Sequence, residues 1–155
     1  MRVFGFIRQG VELYLPLEKV RGIFQDENIY RYPEISNRVF GLLFIGGEVV
    51  PVVDFFKIIM ADNSFENIQE YSVRCSVVLA DSASGMIAFV YDELRDIFEK
   101  EALMNLKEFS VVLKSSDIRS GAFFVENTEI LEDIILGIRL NISRFKEILL
   151  CPKKY

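Results

Sequence analysis

Histidine is missing from all 155 residues of this chain. Its absence removes Ser-His-Asp and Cys-His nucleophile systems, His-ligated zinc and the commonest general base at neutral pH. Carboxylates are the acid–base groups that remain. Cysteine occurs only twice, as Cys75 and Cys151, without the close spacing of a metal site, so Cys75 is read as a small apolar residue. No metal or other cofactor is expected. Long apolar runs are also missing: none approaches the ~20 residues of a membrane span. Only Arg2 precedes the first strand-like segment, with no apolar signal core behind it. The expectation is a soluble, cytoplasmic protein with no direct membrane insertion. Basic clusters are absent beyond Lys153-Lys154, and the net charge is −5. Binding a phosphate backbone requires concentrated Lys and Arg, so nucleic acid is excluded as a partner.

What the chain does have is apolar and aromatic side chains, at 51% apolar with 14 Phe and 6 Tyr. That suffices for a substantial core in a single domain spanning 1–155. The segment FGFIRQGVELYLPL reads as two strands around Gln9-Gly10, with Leu13, Leu15 and Leu17 on one face. EKVRGIF reads as a strand or bent strand in which Gly22 marks a bulge or a close backbone approach. A polar link, QDENIYRYPEISN, follows, broken by Pro33; its Tyr30 and Tyr32 are expected to face solvent. RVFGLLFI and EVVPVVDFF flank Gly46-Gly47, a hairpin turn whose glycines accept positive φ at both central positions. Pro51 has no N–H to donate and belongs at an edge or a bulge.

Residues 62–71 are polar and mark a lobe boundary. SVVLA and MIAFVYDELRDIF then repeat the strand pattern. KEALMNLKEF reads as a short helix or an irregular link, and FSVVL, GAFFVE and IILGIRLNI as further strands. A closing helix is expected over 143–150, with Ser143 as its N-cap and Phe145, Ile148 and Leu149 on one face. The sum is about ten strands and one or two short helices, an all-β class chain.

The chain also echoes itself. Glu18-Lys19-Val20-Arg21-Gly22-Ile23-Phe24 matches Asp92-Glu93-Leu94-Arg95-Asp96-Ile97-Phe98 at an offset of 74. More loosely, VVDFFKII near Asp54 matches RLNISRFKEI near Asn141. The repetition favours two similar small β-barrels, with approximate lobes 1–65 and 70–142. Closing each sheet would remove its exposed edges.

Three features invite a chemical reading. Asp54 and Asp92 form either a paired acid–base site or two strand ends whose carboxylates cap turns. The second has more weight, because the two aspartates fall in different expected lobes. Gly46-Gly47 lacks the flanking pattern of a phosphate cradle and is a hairpin. The phenylalanines Phe4, Phe6, Phe40, Phe44, Phe55, Phe56, Phe89, Phe123 and Phe124 are mainly core. Adjacent pairs such as Phe55-Phe56 and Phe123-Phe124 would face opposite sides of a strand. Either both faces are covered or some rings mark a partner surface.

The stretch GLLFIGGEVVPVVDF resembles the most characteristic segment of the CheW family of bacterial chemotaxis adaptors. Gly41, Gly47, Pro51, Val52, Val53 and Asp54 fall in place, and Phe55 stands for the usual leucine. YLPLEKVRGI fits the family's preceding strand pair through Val20 and Ile23. FVYDELRDIF fits a later strand through Asp92, Leu94 and Ile97, and IRLNISRFKEIL fits the closing strand and helix. The resemblance runs from about Phe4 to Leu150. It implies two five-stranded SH3-like barrels on a shared apolar core, with no catalytic activity. It also implies coupling of a CheA-type histidine kinase regulatory domain to chemoreceptor cytoplasmic tips.

Carried onto this sequence, the resemblance suggests partner contacts at Val20, Gly22, Gly41, Phe44, Gly46, Gly47 and Glu48. Pro51, Val52, Asp54 and Asp92 would be structural. Departures fall on that same surface: Gly46 replaces a usual arginine, Phe44 a polar residue and Gly22 an acidic one, while Ala88 replaces a glycine in the second half. Two alternatives follow on the same fold, a scaffold of a twitching or gliding pathway and a paralogue without receptor contact. A third is a small carboxylate-based ligand binder or enzyme, which a deep pocket holding both Asp54 and Asp92 would signal.

Overall fold

The computed structural model describes residues 1–31, 39–56, 72–82, 85–106, 110–111 and 122–124. Two tight turns set the first pairings. Gln9 and Gly10 (φ 49° and 78°) join β1 (Arg2–Arg8) to β2 (Val11–Pro16). Gly46 and Gly47 (φ 56° and 80°) join β4 (Gly41–Ile45) to β5 (Glu48–Val53). Positive φ at both central residues gives a turn whose twist matches the strands it joins, as the paired glycines predict. After a 3-10 turn at Leu17–Lys19, β3 runs from Val20 to Tyr30. Beyond β5 come β6 (Ser72–Ser82), β7 (Gly85–Tyr91), β8 (Glu93–Glu99), α1 (Lys100–Leu106), β9 (Ser110–Val111) and β10 (Ala122–Phe124).

The architecture is mainly β, with one closed five-stranded barrel and one open five-stranded sheet. The barrel order is β3-β4-β5-β7-β6, and the sheet order is β8-β1-β2-β10-β9. Each sheet takes strands from both sides of residues 65–70: β6 and β7 complete the barrel, while β8 pairs with β1.

Side-chain alternation explains how these sheets stack. Ile29, Leu43, Val50, Val52, Val77 and Val90 point into the barrel. Their neighbours Leu42, Val78, Ile87 and Phe89 point outward, against Phe4, Phe6, Leu13 and Leu15 of the open sheet. The far face of that sheet is covered as well, where Val3 and Tyr14 pack with Leu103 of α1. Burial on both faces is why VELYLPL reads as a nearly continuous apolar run. Leu13, Leu15 and Leu17 do share one face, against the inter-sheet core.

Pro51 is accommodated by register. The two-residue turn makes Ile45–Glu48 the closing hydrogen-bonded pair, so Leu42–Pro51 is a non-hydrogen-bonded pair and the missing N–H costs the β4 ladder nothing. On its other side the parallel ladder to β7 begins only at Val52.

Two expectations need correcting. Tyr30 belongs to β3 and not to a polar link, although it is exposed as expected. Phe55 and Phe56 are not strand neighbours on opposite faces. The chain turns helical after Asp54, and both rings pack against the inter-sheet core. KEALMNLKEF resolves as helix at Lys100–Leu106. Tyr32, Pro33, the 62–71 boundary, the strand at 134–142, the closing helix at 143–150 and Cys151 lie outside the described residues. So do the side chains of Phe123 and Phe124.

The first echo has a structural counterpart. On β3 an extra residue sits between Val20 and Gly22 relative to β6, and on β8 one sits between Leu94 and Ile97 relative to β1. Both matched isoleucines, Ile23 at 41% and Ile97 at 46%, stand exposed just past their bulge. Both matched arginines reach a carboxylate, Arg21 that of Asp81 and Arg95 that of Glu12. A bulge adds one residue and re-aims the side chains after it, which is how an apolar residue comes to face outward in each sheet.

Candidate protein-interaction surface

The outer face of the barrel is only partly covered. Leu42 lies beneath the open sheet, but Phe44, two residues on along the same face of β4, is 48% exposed. Tyr30, also outward on β3, meets it edge to face, with ring centroids 5.4 Å apart and planes at 76°. Ile23, seven residues before Tyr30 on β3, is a separate exposed apolar side chain. Beside Phe44, Gly46, Gly47 and Glu48 are exposed at the hairpin, and a Cβ built on either glycine would meet nothing within 4 Å. This surface offers apolar area, an aromatic edge and open backbone. It has the means to bury a partner's side chains.

The other residues singled out from sequence lie deeper. Val20 is half-buried against the inter-sheet core. Gly22, also half-buried, occupies the bulge, where a Cβ would come within 2.9 Å of the Phe24 ring. Gly41, Pro51 and Val52 are buried. Ile23 was placed in register by sequence but not marked as a contact; its exposure depends on the bulge, which the residue types alone do not aim.

Asp54 and Asp92 do come together, through a residue that sequence reasoning missed. The Arg8 guanidinium lies between them, Nη2 donating to Asp54 Oδ2 at 2.9 Å and Nη1 to Asp92 Oδ1 at 2.8 Å. Arg8 Nε also donates to Asp54 Oδ2, at 3.3 Å. The remaining oxygens take backbone donors: Phe56 N–H donates to Asp54 Oδ1 at 3.1 Å and Gln9 N–H to Asp92 Oδ2 at 2.7 Å. Asp54 therefore caps the helical turn that follows it, and Asp92 holds the β1–β2 turn. Burial works against the Arg8 charge, but the hydrogen bonds and charges of the two carboxylates outweigh it and hold the guanidinium above its ordinary pKa. With all four carboxylate oxygens engaged by donors, the pair is arranged for structure and not for proton transfer. Among the described residues no cluster of His, Cys, Asp and Glu could hold a metal ion.

Compared with known families, the sequence matches the CheW-like domain over residues 2–127. The chain belongs to the CheW-like domain family. CheW-like domains are non-catalytic scaffolds. Among solved structures, the chain is similar to the scaffolding protein TtCheW from Thermoanaerobacter tengcongensis, at 14% identity and a TM-score of 0.49. That match covers 63% of this chain and 63% of the other. No curated protein sequence matches. Within this CheW-like domain the family's characteristic segment forms the β4–β5 hairpin and ends at the Asp54 cap. No helix among the described residues is long and apolar enough to cross a membrane.

One residue of the domain has a reactivity that its surroundings dictate. Cys75 is a free, half-buried thiol packed on the barrel interior, and desolvation pushes its pKa up. The thiolate is the reactive form, so Cys75 is expected to alkylate at pH 7 about tenfold more slowly than a free cysteine. Timed iodoacetamide labelling with peptide mass spectrometry reads this directly, and labelling as fast as a free thiol would contradict it.

Proposed function

We propose that this CheW-like chain is a non-catalytic adaptor of a bacterial chemotaxis signalling array. It couples the regulatory domain of a CheA-type histidine kinase to chemoreceptor cytoplasmic tips by protein–protein contacts alone. The observation that carries this reading is the exposed aromatic pair of Tyr30 and Phe44 beside the Gly46-Gly47 turn, on a domain of a scaffold family. Exposed aromatic side chains next to open backbone supply the central anchors of an interface. In this reading Val20, Gly22, Phe44, Gly46, Gly47 and Glu48 lie at or beside the contact. Gly41, Pro51, Val52, Asp54 and Asp92 keep its frame in shape. The open sheet acts as a second SH3-like lobe, packed on the closed barrel across the shared core.

Titration of the intact chain against a purified CheA regulatory domain tests the kinase half of the proposal. Association at about tens of micromolar or tighter is expected, the range of a modest interface. Phe44→Ser should weaken it about tenfold, the loss of one partly exposed aromatic anchor, with thermal stability nearly unchanged. No association at that concentration overturns the kinase coupling.

A second reading is favoured by the surface itself. Gly22 and Gly46 present no charge and Phe44 presents a ring, so these three positions offer no charged group for ion-paired recognition. Under that reading the chain scaffolds a twitching or gliding pathway, or is a paralogue that holds kinase without receptor. Receptor-tip fragments then fail to bind while the kinase domain still does.

A further inference from the structure

Three chain corners meet at one guanidinium. Arg8 ends β1 just before the Gln9-Gly10 turn, Asp54 stands where the chain leaves β5, and Asp92 lies between β7 and β8. Two of these corners belong to barrel strands and one to the tip of the open sheet. Arg8 donates to both carboxylates, and each carboxylate also accepts a backbone N–H, Asp54 the local one of Phe56 and Asp92 that of Gln9 in the β1–β2 turn. Asp92 N–H in turn donates to the Ile7 carbonyl at 2.8 Å.

We infer that Arg8 is a clasp, a positioning residue that fixes the tip of the open sheet to the exit of the barrel so that the two move as one body. The apolar core between the sheets attracts them, but apolar burial is non-directional and tolerates sliding. A guanidinium fork with fixed geometry does not: both arms are satisfied only when β1, the β5 exit and the β7–β8 corner hold one relative position. The Asp54 arm is sheltered, since Asp54 is only 3% exposed, whereas the Asp92 side chain is 43% exposed. The Asp54 charge is costly without Arg8, which ties the clasp to the folded state. Lysine cannot substitute, because a single ammonium lacks the paired, planar donors needed to hold two separate carboxylates.

Hydrogen exchange on the full chain tests the clasp, with Arg8→Met and Arg8→Lys compared to the parent. In Arg8→Met the amides of Gln9, Phe56 and Asp92 should exchange about tenfold to a hundredfold faster, beyond any change at the barrel-interior amides of Val77 and Ala88. Equal loss at all five positions would mean general destabilisation and overturn the clasp, as would unchanged protection at the three corners. Should Arg8→Met fail to fold, Arg8→Lys decides, since it keeps the charge. One corner, Gln9 or Phe56, should then loosen about tenfold while the other holds. Parental protection at both would overturn the inference.

Discussion

Replacing Phe89 with alanine is expected to lower the unfolding free energy by about 3–5 kcal/mol, the cost of deleting a fully enclosed aromatic side chain. Phe89 is completely buried on the outer face of the barrel. Its ring lies 5.9 Å from Phe6 of the open sheet and 6.3 Å from Phe55 of the helical turn after Asp54. Its backbone is held on both sides, by Val78 of β6 and Val53 of β5. A cavity there cannot close easily, because its walls come from three elements that the barrel ladders and the Asp54 cap hold apart. The predicted loss is a large share of the roughly 5–15 kcal/mol that stabilises an ordinary domain. Phe44→Ala is the internal control: its ring is half in solvent, so the change should cost about 1 kcal/mol or less. Urea unfolding of the two variants separates them. Equal midpoints would falsify the assignment of Phe89 to the joint between sheet and barrel.

How much of this was legible before the structure depends on how local the cause is. Gly46-Gly47 was readable because two glycines between apolar runs leave one cheap solution, a turn with positive φ twice. The irregularity at Gly22 was readable from the glycine itself, whereas the matching bulge that the echoed segment carries in β8 emerged only from the structure. Non-local causes were harder. Arg8 finds Asp54 across 46 positions and Asp92 across 84, and no spacing in the sequence advertises such a meeting. Tyr30 read as link because Gln25-Asp26-Glu27-Asn28 is polar. The strand continues through it because Asp26 takes a positive φ of 56° at a second register shift, with Arg74 bonded to its carbonyl and carboxylate. Phe55-Phe56 read as strand because the apolar run continues, whereas the Asp54 carboxylate starts a helical turn by capping it. Strand partners across residues 65–70 were invisible for the same physical reason: pairing is decided by which apolar faces meet in the core, and both candidate faces looked alike.

Replacing Gly41 with alanine is expected to cost about 1–3 kcal/mol, although only one methyl group is added. A Cβ at this position would lie 2.7 Å from the Tyr30 carbonyl oxygen and press against the Ile29 side chain. Ile29 is fully buried inside the barrel, and the carbonyl belongs to the strand paired with β4 through Tyr30–Leu42. Neither neighbour is a flexible tip that swings aside, so β3 and β4 must separate. That movement would carry Tyr30 away from Phe44 and open the aromatic edge of the interaction surface. Gly46→Ala supplies the contrast. Its cost arises from positive φ alone, because the space around it is open, and it leaves the β3–β4 contact intact. Thermal melts together with exchange at the Leu42 and Tyr30 amides distinguish the two. Gly41→Ala should lower the midpoint and loosen those amides, and Gly46→Ala should do only the first, more weakly. Gly41 would then influence a partner through the backbone it allows to approach, since, buried as it is, it has no surface of its own to offer.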